Sequence, residues 1–235
     1  MNLRFSVIIP VLHESAGIND LLGHLRLLDA AGHCEIIVVD GSAEKDTILS
    51  INGNDVVCLS SPPGRARQMN AGAALASGDV LIFLHADTRL PADALPLISR
   101  AMNGSAYWGG AFSLGISSRK WIYRLIALTA SWRSRLTRIP YGDQAIFIRR
   151  DDLRTLGGYP VIPIMEDVAL MRQIKKRGGK ITIIRRSVAT SPRRWEREGV
   201  LRATLRNWLL EAAYLLGRPP EKLAPYYQTP KNENK

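Results

Sequence analysis

Apolar residues along this chain fall into short continuous runs separated by stretches of helical periodicity. Phe5–Pro10, Glu35–Asp40, Asp55–Leu59 and Val80–Leu84 each read as a strand buried on both faces, since a sheet covered on two sides needs no polar alternation. Between them, residues 15–30 carry Ile18, Leu21, Leu22, Leu25 and Leu28 at the spacing of an amphipathic helix. A short helix follows around Lys45–Ile51, then an Ala-rich one over Arg65–Ala76, and Pro91 suits the first turn of another. This alternation predicts an α/β fold: a mostly parallel central sheet with helices on both faces.

The second half changes character. Gly109–Ile116, Gln144–Ile148 and Lys180–Ile184 read as strands, and Arg119–Leu136 as a helix. Glu166–Arg177 has acids in its first turn, basic residues in its last and Gly178 as its stop, in accord with the helix dipole. A last amphipathic helix spans about Val200–Leu216, ended by Gly217 and Pro219-Pro220. Residues 1–227 are expected to form one domain, and the polar stretch 228–235 a disordered tail.

Ligands of such sheets bind beyond the carboxyl ends of the strands. Glu14, Asp40, Arg65, Arg67, His85 and Asp87 all fall there. His85 and Asp87, two residues apart at a strand end, point the same way if the chain stays extended. Asp40 and Asp87 suit a nucleotide and its Mg²⁺ or Mn²⁺, and each is equally read as a loop or N-cap Asp. Arg65 and Arg67 suit bidentate phosphate contacts or a solvated helix face. Glu166-Asp167 is either a candidate general base or an acidic pair favoured by the helix dipole. Arg193-Arg194-Trp195 can meet phosphates and stack on a ring, or form a basic surface turn.

Strand one is not followed by G-x-G-x-x-G, by a P-loop, or by the Gly-rich basic loop expected of an enzyme that builds sugar nucleotides. Only two cysteines occur, Cys34 and Cys58, both in expected strands; buried free thiols in a reducing, cytoplasmic setting fit them better than disulfides. The pattern contains no apolar run long enough to span a bilayer and no signal-peptide start. Of the net charge of +11, residues 1–115 hold −4 and residues 116–235 hold +15. An anionic partner fits the basic half. Nucleic acid is set aside, because the first half is acidic and no nucleic-acid-reading motif is present.

Val7-Ile8-Ile9-Pro10 with Glu14, Val38-Val39-Asp40-Gly41-Ser42 with Asp46-Thr47, Asn70-Ala71-Gly72, Ala76-Ser77-Gly78-Asp79, Leu84-His85-Ala86-Asp87 and Glu166-Asp167 occur in this order. Together they resemble family 2 glycosyltransferases, which have the GT-A fold, over roughly residues 4–200. The segments HADT, YGDQAIF and RRWEREGV are similar to a small branch labelled arsenosugar-biosynthesis type. The resemblance implies an inverting transfer of a sugar from a nucleoside-diphosphate donor, UDP-linked, to an alcohol acceptor. Residues 1–115 would be the nucleotide-binding half and 116–227 the acceptor-side half.

By the same resemblance, Asp40 would meet the uracil or ribose, with Pro10–Glu14 lining the base and Ala86 beside Asp87 in the nucleotide site. Asp87 would hold a divalent metal, Mg or Mn, with His85 standing where the family's D-x-D-like motif has its first acid. Asp167 would be the general base, with Glu166 or Asp143 as alternatives. Arg194-Trp195 would match the end of the family's Q-x-x-R-W element, with Asp143, near the diphosphate and acceptor. Ser191 replaces the Gln of that element, which argues against a processive polysaccharide synthase. A noncatalytic nucleotide-binding or membrane-surface module retaining the fold is the competing reading.

Arg119–Arg138 and Val200–Leu216 are basic, aromatic-bearing amphipathic helices. Three outcomes fit such helices: packing on the domain's own core, a homodimer interface, or peripheral attachment to anionic lipid on the inner face of the cell membrane. The last would bring the crevice to a lipid-linked acceptor.

Overall fold

The computed structural model describes residues 3–29, 32, 34–104 and 106–227; the expected tail at 228–235 lies outside them. The strands are β1 (Phe5–Val11), β2 (Cys34–Asp40), β3 (Val57–Ser60), β4 (Val80–Phe83), β5 (Thr88–Arg89), β6 (Tyr107–Ser113), β7 (Ile146–Arg149), β8 (Lys180–Ser187) and β9 (Ala189–Thr190). The helices are α1 (Ile18–Leu28), α2 (Asp46–Leu49), α3 (Arg65–Leu75), α4 (Ala94–Met102), α5 (Trp121–Thr137), α6 (Arg150–Leu156), α7 (Glu166–Lys176), α8 (Arg193–Glu198), α9 (Val200–Leu215) and α10 (Pro220–Tyr227).

Seven strands form one sheet in the order β3-β2-β1-β4-β7-β6-β8. The pairs β1–β2, β1–β4, β2–β3 and β6–β8 are parallel, and β7 runs antiparallel to both of its neighbours. This is the expected mostly parallel sheet. Its strands are apolar throughout because alternate residues enter two different cores. Val7, Ile9, Val38 and Ile82 pack on α1 and α4 through Leu22, Leu25 and Ile98. Ile8, Ile37, Val39 and Leu81 pack on α3 and α7 through Met69, Leu170 and Ile174. Fully burying one such aliphatic side chain stabilises the fold by about 1.5–3 kcal/mol. Helix α3 comes unusually close to the sheet at Gly72, where a Cβ would lie 2.5 Å from Ile8 Cγ2.

Three expectations change. Strand β1 runs through Pro10 to Val11, since β4 ends opposite Ile8 and requires no amide from Pro10. Cys58 is exposed, because its strand β3 is an outer edge of the sheet, and Cys34 is only half-buried, because it opens β2 before the pairing with β3 begins at Ile37. Helix α9 ends before Gly217 as expected, but it is not the last: Pro220 opens α10, where a missing amide hydrogen costs nothing.

A two-stranded ribbon outside the main sheet matters most for position. Thr88 pairs with Thr190 and Arg89 with Ala189. The two threonine hydroxyls lie 3.0 Å apart, and Ser191 N donates to Asp87 O at 3.0 Å. The ribbon thereby carries the start of α8 onto the end of β4.

Candidate active site

Beyond the carboxyl ends of the strands lies a cavity of about 160 Å³. Its walls come from four regions distant in sequence: Arg65 at the start of α3, His85 and Asp87 after β4, Gly142-Asp143 before β7, and Glu166-Asp167 at the start of α7. Arg194, Trp195 and Tyr227 close it from the C-terminal side. His85 and Asp87 do reach one spot, through a turn rather than an extended strand: Thr88 N donates to His85 O at 3.0 Å.

Glu166 is 3 % exposed and Asp167 9 %, and their neighbours treat them differently. Arg65 Nε lies 3.1 Å from Glu166 Oε1 and compensates that carboxylate. Asp167 accepts one hydrogen bond, from Gly142 N to Oδ2 at 2.8 Å. Burial, reinforced by the adjacent Glu166, pushes the Asp167 carboxyl up to about 7. Asp143 rises to about 6, again mainly from burial, with Asp87 adding to the effect. A carboxyl poised near neutrality can take a proton from an alcohol and release it again. Met165, just before the pair, holds φ 65°, a left-handed conformation rare for a non-glycine residue and one that strains the entry to α7 at the cavity wall.

Gly142 is the pivot between two of these groups. A Cβ there would lie 2.7 Å from both Asp167 Oδ2 and His85 Nε2. Burial, with the charges of Arg65, Arg194 and Arg193, lowers the His85 imidazole to about 3, so the ring is neutral at physiological pH.

On the cationic side, Tyr227 collects two arginines. Its hydroxyl oxygen accepts hydrogen bonds from Arg194 Nη1 at 2.7 Å and Arg65 Nη2 at 3.2 Å. Arg194 also stacks 4.3 Å from the Tyr227 ring centre. Trp195 packs edge-on against Tyr123 of α5, with ring centres 6.2 Å apart. Arg193 spans the rim, ion-paired to Glu14 and, at 3.2 Å, to Asp87.

Of the expected site residues, Asp40, Arg67, Pro10 and Ala86 lie outside the cavity lining. Asp40 is fully buried, and both carboxylate oxygens are taken by backbone amides, Ser42 N at 2.8 Å and Ile48 N at 3.2 Å. It anchors the loop into α2. Arg67 is exposed and absent from the cavity lining, because two residues along a helix turn a side chain about 200° away from Arg65. Pro10 is buried within β1, and Ala86 packs on the core beneath the crevice. The contribution of Tyr227 lacks any sequence signal, since α10 begins beyond an apparent stop; that of Gly142 lies within YGDQAIF, without an obvious chemical group.

Among the described residues no cluster of three or more His, Cys, Asp or Glu forms a ready metal cage. The cavity nevertheless contains suitable donors for part of a shell: Asp87, neutral His85, and Asp143 Oδ1, which is buried without a hydrogen-bond partner. One or two carboxylates completed by phosphate oxygens suit Mg²⁺ or Mn²⁺, which are seldom held by protein ligands alone.

The fold has counterparts among known proteins. By backbone, the chain is similar to the mannosyltransferase PcManGT of Pyrobaculum calidifontis, solved with GDP-Man and Mn²⁺: TM-score 0.65, 21 % identity, 97 % of this chain and 68 % of that one. It is also similar to TarS 1-349 of S. aureus, with TM-score 0.62, 14 % identity, and 96 % and 70 % of the two chains covered. An N-acetylglucosaminyltransferase of Rhizobium sp. (strain N33) is 28 % identical over 131 residues, 51 % of this chain. The present chain spans 29 % of the length of that relative. Residues 6–156 match the family described as Glycosyl transferase family 2, which is more than half of the sequence, and the chain belongs to that family.

Proposed function

We propose that the protein transfers a sugar from a nucleoside-diphosphate donor, UDP-linked, to an alcohol acceptor with inversion at the anomeric carbon. The observation that carries this reading is the pairing of a buried Asp167, with its carboxyl raised to about 7, with an arginine-bearing wall in one cavity. Structural neighbours solved with UDP-GlcNAc, with UDP-Glc and Mn²⁺, or with GDP-Man and Mn²⁺ support a nucleotide-sugar donor.

In this reading the acceptor hydroxyl oxygen forms the new bond to the anomeric carbon while the bond to the diphosphate breaks. Asp167 Oδ takes the hydroxyl proton, and the nucleoside diphosphate leaves with the bonding electrons. Arg65 and Arg194, both hydrogen-bonded to Tyr227 in the present conformation, are placed to receive the diphosphate. A divalent metal held by Asp87, beside His85 and the donor's phosphate oxygens, would neutralise charge gathering on the leaving group. Preorganised positive charge of this kind acts most strongly where water is excluded. Glu166, compensated by Arg65, keeps that guanidinium in place. Trp195 gives the acceptor or sugar an apolar face to rest on.

The test is incubation with a panel of nucleotide sugars, Mn²⁺ and simple alcohol acceptors, following released nucleoside diphosphate and the anomeric configuration of the product. Release with inversion is expected. Nucleotide binding with no release from any donor would overturn the catalytic reading.

A further inference from the structure

Helices α5 and α9 each turn one face inward and leave a separate apolar stripe exposed. On α5, Tyr123, Ala127, Ser131 and Ser134 turn inward. Trp121, Leu125, Leu128, Trp132 and Leu136 recur at helical spacing on the opposite side and are exposed, Trp132 at 67 %. On α9, Ala203 and Leu210 are buried. Leu201, Leu205, Trp208 and Leu209 form the outer stripe, with Leu201 82 % exposed. The two helices are joined by the Arg133–Glu211 ion pair, 3.1 Å. Soluble monomers seldom expose two neighbouring stripes of this kind without a partner.

Charge identifies the partner. Residues 119–138 contain six Lys or Arg and no Asp or Glu. In residues 200–218 the only acid is Glu211, and it is spent on Arg133. Arg124 and Arg135 flank the α5 stripe and Arg202 flanks that of α9, all exposed. A second copy of this chain would bring like charge against like charge, whereas an anionic bilayer surface takes both apolar stripe and basic flank. Tryptophans among leucines, bordered by arginines, match the composition of helices that lie in the headgroup region.

We propose that α5 and α9 form a docking face for an anionic lipid bilayer, with their outer stripes set into the interface. Tyr123 of α5 touches Trp195, and Asn207 of α9 lines the cavity. Docking therefore holds the cavity on the inward side of α5 and α9, one helix away from the lipid surface, which suits an acceptor alcohol that a lipid carries on an extended headgroup. That consequence rests on the proposed transfer reaction; the docking itself does not, and its test uses no donor.

The test is co-sedimentation of the whole chain with phosphatidylcholine vesicles, with and without phosphatidylglycerol, at low and high salt. Pelleting is expected to rise at least tenfold with anionic lipid and to fall with salt. Tryptophan emission should shift to the blue. Leu128→Glu with Leu205→Glu, at exposed positions that leave the core untouched, should abolish pelleting while the melting temperature and circular dichroism stay unchanged. Retained pelleting in that variant would show charge attraction alone and overturn the apolar contact. Absence of wild-type pelleting at low salt would overturn the proposal outright. So would a stable dimer in solution that the same substitutions convert to monomer.

Discussion

Arg193 and Glu14 are 179 residues apart in sequence, yet Arg193 Nη1 meets Glu14 Oε2 at 2.8 Å. The same guanidinium places its Nε 3.2 Å from Asp87 Oδ2. One arginine therefore closes the rim between the first strand and the end of the fourth, and shares Asp87 with any cation that binds there. Both contacts are partly solvated, so they hold geometry more than they stabilise the fold. Asp87→Asn is expected to remove the Mn²⁺-dependent part of UDP binding, and Arg193→Ala to leave it in place. Calorimetry with Mn²⁺ and with chelator reads both. Equal wild-type affinity in chelator would remove the metal role from Asp87.

In the proposed reaction Asp167 would set the pH dependence. Its carboxyl is raised from 3.8 to about 7 by burial and by Glu166. As a base it works only when ionised, so kcat/KM should climb as pH rises through about 7 and then level off. Asp167→Asn should keep UDP binding and lose transfer by about 10²–10⁴-fold. Transfer at the wild-type rate in that variant would move the role to Asp143 or Glu166.

Stability carries the opposite sign. Between 3.8 and about 7 the folded protein keeps a proton on Asp167 that the unfolded chain has released. The contribution of this group to stability therefore falls as pH rises through that window. Denaturant midpoints measured at pH 5 and pH 8 should differ less in Asp167→Asn than in the wild type.

Gly142→Ala tests the juxtaposition of His85 and Asp167. The new methyl would sit 2.7 Å from both side chains and must push them apart. Turnover should drop at least tenfold, since a small displacement of a reacting group is costly. UDP affinity should change far less, which a single-turnover assay beside calorimetry would separate.

Asp40→Ala should act on the fold. Removing the carboxylate leaves the amides of Ser42 and Ile48 without their acceptor in a buried loop. A cost of about 1–3 kcal/mol is expected. That corresponds to a melting temperature lower by roughly 2–12 °C. An unchanged melting temperature with lost UDP affinity would return Asp40 to the nucleotide site.

The apolar runs at Phe5–Val11, Cys34–Asp40 and Val80–Phe83 determined the doubly covered sheet by themselves. An unbroken apolar strand has no face to give to water, and helices had to lie on both sides. The acids at the start of α7 and the polar cluster after β4 were legible for the same reason, as polar groups placed where strands and helices begin or end. Which of them meet was decided elsewhere. Arg193 reaches Asp87 only because Thr190 pairs with Thr88. Tyr227 reaches Arg65 only because α10 folds back after two prolines. Asp40 and Arg67 carried the same local signals as Asp87 and Arg65, but loop hydrogen bonds enclosed the first and helix rotation turned away the second. Periodicity likewise marked α5 and α9 as amphipathic without telling which stripe the core would take. Local pattern follows from the chemistry of consecutive residues; the site depends on contacts between residues far apart in the chain, which no local pattern encodes.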